Sequence, residues 1–386
     1  MRRVCGVVLL TLFLLSGCRP APPEPQREGS CTLTFITIGK GDAFLLTTAA
    51  GGHFLIDTGK GEDFPQIARL LRVKGVEELD GIFLSHGHRD HAGSLEPILD
   101  TFPTKTVFLS DTDTVSYHEI DAAALAGPRG TEVRSLAAAE TMEVDGLEIR
   151  CWHPDRPVPD NENNNSLILR ITWGEISFLL MGDAELEEEA TLMASGFPLK
   201  AALLKLGHHG EIDASSDGFL RKVGPRYALI TGNEAENPDS VNPIVAERLE
   251  ERGSLPFYSE CDGLALDFCT DGQSIAWSVV EEETPESPLT LSISEVDRKR
   301  QRVTIRNTGD RPADLSGCAL FSQRGAEVFF FPAQTSLPPD GVVTVACRGF
   351  EKTGDLIWER DGVWKKKDDA ALLFDSDFTL LDIHSN

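Results

Sequence analysis

The chain has 386 residues, 41% hydrophobic and 25% charged, proportions ordinary for a globular protein and a length that fits two domains better than one. Its formal net charge is −26, which keeps a surface soluble and repels phosphate backbones at long range. This argues against a high-affinity, sequence-specific DNA-binding protein, but not against an enzyme whose cleft carries its own cations.

In chain order, residues 1–17 have the makings of a signal peptide. Arg2 and Arg3 form a charged start, Val7 to Leu15 an apolar run too short to span a bilayer, and Ser16 and Gly17 a small-residue end. Leu15-Ser16-Gly17-Cys18 resembles the lipobox of bacterial lipoproteins, which implies lipidation of Cys18. The expected location is then the bacterial cell envelope, lipid-anchored and extracytoplasmic, with residues 18–30 as a proline-rich tether. Of eight cysteines, six remain once Cys5 and Cys18 are set aside, an even number compatible with disulfides in an exported protein. Cys261–Cys269 and Cys318–Cys347 are the plausible pairs, with Cys31 and Cys151 left over.

Residues 31–280 alternate strand-like and helix-like stretches. Strands are predicted at 33–38, 43–47, 53–56, 81–84, 106–109, 147–152, 167–172, 176–181, 202–206 and 227–231. Helices are predicted at 63–73, where Phe64, Ile67, Leu70 and Leu71 share one face, at 184–195, which opens on a run of glutamates, and at 243–252. A layered α/β domain follows. Residues 281–288 (EEETPESP) read as a linker. After it, residues 289–386 show short strands at 289–296, 302–307, 317–321, 328–331, 342–346 and 370–373, separated by turn signals and with no convincing helix: a small β-sandwich.

The chemistry concentrates at Ser85-His86-Gly87-His88-Arg89-Asp90-His91, directly after the apolar run Gly81–Leu84. Three imidazoles and a carboxylate within six positions, in a chain with only nine histidines, are poorly explained by packing. Divalent metal would give each of them a partner.

The His86-x-His88-x-Asp90-His91 pattern resembles the signature of the metallo-β-lactamase superfamily. Leu55-Ile56-Asp57-Thr58-Gly59, Met181-Gly182-Asp183 and Lys205-Leu206-Gly207-His208-His209-Gly210 resemble its other site segments. Within the superfamily the chain is most similar to the hydrolase domain of ComEC-type DNA-uptake proteins, through Ile38-Gly39-Lys40-Gly41-Asp42-Ala43, Asn163-Asn164-Asn165-Ser166-Leu167 and the His208-His209-Gly210 pair. The resemblance implies an αββα sandwich over about residues 31–280 and two divalent ions, Zn or Mn. His86, His88 and Asp183 would hold one ion; Asp90, His91, Asp183 and His209 the other, with Asp183 shared. A water between the ions would ionise near neutral pH and act as nucleophile. Asp90, Asp183 and His208 are the implied catalytic residues. The adjacent histidines leave open which is the ligand and which meets a substrate oxygen or simply sits in its loop. Asp57 would brace the histidine loop, and Asp42, Asn164 and Lys205 would support the ligands or meet substrate.

The pattern departs from the family in places. No histidine stands at Asn161–Asn165, where many members carry a further ligand, and His153 is the only one nearby. Asn163–Asn165 also read as plain turn formers. Asn242 replaces a histidine common in ComEC-type domains, Gly207 replaces Pro and Glu211 replaces Ser; an acid at 211 disfavours a phosphate ligand.

Residues 289–386 resemble the lamin-tail domain, an immunoglobulin-like sandwich. The matching segments are Ile293–Val296, Val303–Gly309, Asp314–Gly317, Leu337–Gly341, Asp368–Leu372 and Leu381-Asp382. Such a domain implies an adapter for DNA, envelope or protein; Lys365–Lys367 is a small basic patch, more simply a solvated turn. The expected function is an exported, membrane-anchored dinuclear hydrolase of phosphodiesters, with extracellular DNA as substrate. Two alternatives are a hydrolase of the same fold acting on a small ester, lactone, β-lactam or choline phosphate, and an envelope-binding lipoprotein with a vestigial metal site.

Overall fold

The computed structural model describes residues 29–385, except 113–119, 234, 236–237, 239, 241, 261–262, 282–286 and 365–368. The signal peptide, Cys18, Cys261, most of the linker at 281–288 and Lys365–Lys367 lie outside the described residues.

The strands to residue 280 are β1 Cys31–Ile36, β2 Ala43–Thr47, β3 His53–Thr58, β4 Leu79–Phe83, β5 Thr104–Ser110, β6 Glu132–Leu136, β7 Thr141–Val144, β8 Leu147–Trp152, β9 Ile168–Trp173, β10 Ile176–Leu180, β11 Leu203–Lys205, β12 Tyr227–Ile230, β13 Leu255–Tyr258, β14 Ala265–Thr270 and β15 Ile275–Val280. The helices are α1 Phe64–Val73, α2 Arg89–Ala92, α3 Leu95–Thr101, α4 Ala122–Ala126, α5 Leu186–Ala194, α6 Asp217–Val223 and α7 Pro243–Glu251. They build two mixed sheets, ordered β15-β14-β1-β2-β3-β4-β5-β6 and β13-β12-β11-β10-β9-β8-β7.

Strand periodicity produces the layers. In β1, Leu33 and Phe35 point between the sheets, where they join Phe44, Phe178, Leu203 and Phe268 in one dry core. The next residue, Ile36, faces the other way and packs with Leu45, Leu55 and the helix residues Phe64, Ile67 and Ile98. On the second sheet, Leu179, Leu204 and Ile230 meet Leu192, Phe219, Leu220 and Leu249 of α5, α6 and α7. The result is helix, sheet, sheet, helix. α1 forms where its pattern predicts, with Pro65 tolerated in the first turn because an N–H there would have no intrahelical acceptor.

Among the described residues, the remainder is all-β apart from one 3₁₀ turn at Glu351–Thr353. Its strands are β16 Leu291–Asp297, β17 Arg302–Asn307, β18 Ala313–Asp314, β19 Ala319–Ser322, β20 Glu327–Phe330, β21 Ser336–Leu337, β22 Val342–Cys347, β23 Leu356–Trp358, β24 Ala371–Phe374 and β25 Leu380–His384. Sheets β16-β17-β22-β23 and β20-β19-β24-β25 enclose a core that includes Ile293, Val303, Leu320, Val345, Trp358 and Leu373.

Two expectations change. β6 (EVRSL), β7 (TMEV) and β13 to β15 are absent from the sequence reading, as are α2, α3, α4 and α6. β6 is a half-exposed edge strand without the apolar alternation that marks a buried one, β7 alternates over only four residues, and α2 and α4 are too short to show a period. The pairing Cys318–Cys347 is also wrong: both thiols are free and buried in the sandwich core, as are Cys31 and Cys151 in the larger domain, and Cys269 is free too. Burial pushes Cys318 up to about 12 and Cys347 up to about 11, so these thiols behave as small apolar side chains. The unfolding midpoint of the protein should therefore be the same with and without reductant for Cys347→Ala and the parent alike. A difference between them that appears only under oxidising conditions would contradict the assignment.

Candidate metal centre

The site forms where strand ends of both sheets meet. The His86–His91 segment follows β4, Asp57 closes β3, Asp42 precedes β2, Asp183 follows β10, the His208-His209 turn follows β11 and Thr231 follows β12. Strands β3 and β4 are parallel neighbours in one sheet, and β10, β11 and β12 in the other, so their carboxyl ends face a common edge.

Local backbone chemistry aims the side chains. The register of β2 and β3 slips between Ala43 and Phe44, pairing them with Thr58 and Ile56 and leaving Asp57 as the bulged residue, with φ of +57°. From there its carboxylate accepts from Ser85 N and Ser85 Oγ, each at 2.7 Å, and from His91 Nδ1 at 2.9 Å. Gly182 has φ of +52°, and a β-carbon there would lie 2.8 Å from Ser166 and 2.9 Å from Ser85; only glycine brings the Asp183 turn so close to the histidine loop. His208 and His209 both take left-handed backbone, at φ of 41° and 53°, which sends the adjacent rings to different places.

The four rings at the centre share one arrangement. Each has one nitrogen held from outside: His86 Nδ1 by Ser85 Oγ at 3.0 Å, His91 Nδ1 by Asp57, His209 Nδ1 by Thr231 Oγ1 at 3.0 Å, and His88 Nε2 at ion-pair distance, 3.5 Å, from Glu162. The other nitrogen of each points inward. His86 Nε2 and His88 Nδ1 are 2.9 Å apart; His91 Nε2 and His209 Nε2 lie 3.0 and 3.2 Å from Asp183 Oδ2; Asp90 Oδ2 is 3.2 Å from His209 Nε2. Asp183 Oδ2 is also 4.0 Å from His86 Nε2. His91 Nε2 and His209 Nε2 are buried and have no aligned hydrogen-bond partner among the described residues. Buried, inward-facing imidazole nitrogens around a carboxylate are what a divalent ion requires, and leaving them unpaired is costly. The residues present therefore fit a divalent metal.

The electrostatics agree. Burial opposes charge on His91, yet Asp183, Asp42 and Asp57 hold its imidazole well above its ordinary value. His209 is raised against burial, chiefly by Asp183. Burial, then His91, push His86 well below. Asp183 is held well below the carboxylate range despite burial by His209, His91 and Lys205. Lys205 is wholly buried, with Nζ 2.5 Å from Asp42 Oδ2, 2.6 Å from Gly182 O and 3.4 Å from Asp183 Oδ1.

The structure thus gathers His86, His88, Asp90, His91, Asp183, His209, Asp57, Asp42 and Lys205 into one cluster. It places one expected residue elsewhere, His208. His208 turns away, with Nδ1 donating to Asp213 Oδ1 at 3.0 Å and Glu185 and Glu211 at 3.8 and 3.9 Å. Asn164 accepts from Glu185 N at 2.9 Å, so it supports the turn after Asp183. Asn165 bonds the backbone of Val158 in both directions, and Asn242 caps α7 through Ile244 N. His153 is buried against Pro154 O and Leu136 O. Ser85, Thr231 and Glu162 are site residues that the sequence reading missed. Ser85 and Thr231 at least end apolar strands beside ligands, whereas Glu162 sits in a polar loop and carries no signal.

Comparison with known proteins agrees with this geometry. Residues 36–231 match the family model of the metallo-beta-lactamase superfamily. This chain belongs to that superfamily. Residues 284–386 match the Lamin Tail Domain. ComE operon protein 3 of Bacillus subtilis is 26% identical over 249 residues, which cover 60% of this chain and 31% of that one. Competence protein ComA of Neisseria gonorrhoeae is 27% identical over 278 residues, 69% of this chain and 38% of its own. The chain thus spans about a third of the length of these curated relatives. Among solved structures, YhfI of Bacillus subtilis aligns with a TM-score of 0.42 and 16% identity over 59% of this chain and 95% of that one. The superfamily fold makes the larger domain a metal-dependent hydrolase in general terms.

Two measurements test the centre. A metal must displace the protons that Asp183 stabilises on His91 and His209. In the metal-free protein their raised values contribute stability that is present below the unfolded histidine value and is lost as pH rises through the folded one. Metal uptake should therefore release protons, and affinity should rise with pH; equal calorimetric enthalpies in buffers of different ionisation enthalpy would show that the rings were neutral already. Replacing Lys205→Met leaves Asp42 and Asp183 buried without their cation, and urea unfolding of the metal-free protein should lose roughly 3–5 kcal/mol.

Proposed function

We propose that this protein is a phosphodiesterase that cleaves extracellular DNA with two divalent ions, and that lipidated Cys18 holds it on the outer side of a bacterial membrane. The observation that carries this reading is Asp183, a single carboxylate within 4.0 Å of three inward imidazole nitrogens drawn from both sheets. That arrangement suits a carboxylate shared by two ions. His86 and His88 would complete one set and Asp90, His91 and His209 the other, with Zn or Mn as the fitting ions. Bound there, such ions supply Lewis acidity at a phosphoryl oxygen and lower the pKa of a water.

The chain's own residues do the rest. Asp57 fixes the tautomer of His91, and Lys205 occupies Asp183 Oδ1 so that Oδ2 faces the histidines. Asp213 accepts from His208 Nδ1, so Nε2, which accepts from Asn163 Nδ2 at 3.3 Å, would meet a substrate hydroxyl as an acceptor. One of the two relatives is named a competence protein, and the Lamin Tail Domain would serve as the adapter for DNA, envelope or protein.

One observation favours a second reading, a small ester, lactone, β-lactam or choline phosphate. Glu185, Glu211 and Asp213 surround His208 at 3.8, 3.9 and 3.0 Å and repel a polyanion at the rim of the site. Purified residues 19–386, loaded with Zn²⁺ or Mn²⁺, should cut single- or double-stranded DNA, and both His88→Ala and Asp183→Ala should lower the rate by at least about a hundredfold. A metal-loaded parent that leaves DNA intact but hydrolyses small esters would transfer the assignment to the second reading. Inertness toward both classes would favour an envelope-binding lipoprotein.

A further inference from the structure

The apolar layer outside the first sheet is completed by the C-terminal sandwich. Phe64, Ile67, Ala68 and Leu71 of α1 share a cluster with Ala319, Phe321, Phe374 and Phe378. The Phe64 ring stands edge-on to Phe378 at 5.3 Å and lies 6.4 Å from Phe321. Arg69, only 7% exposed, donates to Asp377 O at 3.2 Å, and Arg360 pairs with Glu96 at 2.6 Å on the rim. An interface with buried aromatics and a buried arginine is that of a docked domain.

A second set of contacts leads from this interface to the metal centre. The turn between β19 and β20 carries Ala326 onto Gly61, where a β-carbon would come within 2.5 Å of Ala326 Cβ. The backbone of Gly61 in turn lies against Gly93, whose β-carbon would sit 2.6 Å from Gly61 N and 2.9 Å from Lys60 C. Gly93 ends α2, the helix that bears Asp90 and His91. Its N donates to Arg89 O at 3.0 Å and Gly59 O at 2.8 Å, and Ser94 Oγ donates to Lys60 O at 2.5 Å. Glycines at 61 and 93 thus let the Ala326 methyl and the two backbones approach in series.

We propose that the C-terminal sandwich positions the metal centre: Ala326 presses the Lys60-Gly61 turn onto Gly93 and so fixes α2 with Asp90 and His91. The proposal rests on the reading of those two residues as ligands and on no particular substrate. It bears first on Asp90 and His91, the two ligands within α2; His86 lies ahead of the helix, while His88 caps it through its carbonyl and Ser85 Oγ reaches both His86 Nδ1 at 3.0 Å and His91 Nδ1 at 3.2 Å. A loosened sandwich weakens the ion held by Asp90, His91 and His209 more than the other.

The test is Gly61→Ala in the full chain. The glycine has no left-handed φ, so the added methyl meets only Ala326, and Gly93 O at an ordinary 3.5 Å. Chelator-competition titration with Zn²⁺ should show one of two affinities reduced by about tenfold or more, the scale of lost outer support at a metal site. Adding Ala326→Gly should restore it by removing the clash. Phe378→Ala, which loosens the interface away from the metal loop, should weaken the same ion. Unchanged affinities in folded Gly61→Ala or Phe378→Ala, or a loss that Ala326→Gly leaves in place, overturns the proposal. Asp90→Ala is the control: if it too leaves both affinities unchanged, the ligand assignment has failed, and not the coupling.

Discussion

Lys205 Nζ, Asp42 and Asp183 form a buried ionic group at the junction of the two sheets, with His91 and His209 against the same carboxylate. Charges of this kind cost several kcal/mol each to bury, and their mutual attraction offsets the cost only if the geometry holds. That requirement runs through the structure. Asp42 comes from the segment ahead of β2, Lys205 from the end of β11, Asp183 from the turn after β10; the group can be neutralised only when both sheets are in place. The dry core between the sheets supplies the driving force, and the ionic group specifies how their ends meet.

The same constraint explains the backbone irregularities. Asp57 on its bulge and the two left-handed histidines are unfavourable local conformations, gathered at one edge and repaid by the partners they reach. The register also slips in the sandwich, between Ile293 and Glu295 and between Leu373 and Phe374, away from the ligands. Left-handed residues also occur in turns elsewhere, such as Asp145 and Asp340, so the partners that these three reach, and not strain alone, mark the centre.

How much was legible in the sequence follows from how local each signal is. Ligands on one short segment, His86 to His91, are legible because their spacing is itself the signal. Asp183 and His209 are legible because each follows an apolar strand. The groups that orient the rings are harder to read. Thr231, at the end of an apolar strand, reaches His209 from the neighbouring strand, and Glu162 reaches His88 across a loop; nothing in the surroundings of Glu162 distinguishes it from other polar residues. The choice between His208 and His209 needed backbone angles, which sequence does not carry. The even cysteine count misled because it is equally compatible with thiols that pack as core residues.

The net charge of −26 has less bearing on substrate than it first suggests. At physiological ionic strength fields from exposed charges fade over roughly 8 Å, so a distant acidic surface slows the approach of a polyanion more than it weakens the bound state. What counts is charge within a few ångströms of the reacting group. There the chain sets two opposing features side by side: inward imidazoles with Asp183, which suit cations that attract phosphate, and Glu185, Glu211 and Asp213 around His208, which repel it. Lys40, 3.3 Å from Glu211, offsets part of that repulsion. Discrimination between a nucleic-acid backbone and a small neutral ester is therefore decided at the His208 turn, while the ability to hydrolyse either belongs to the residues around Asp183.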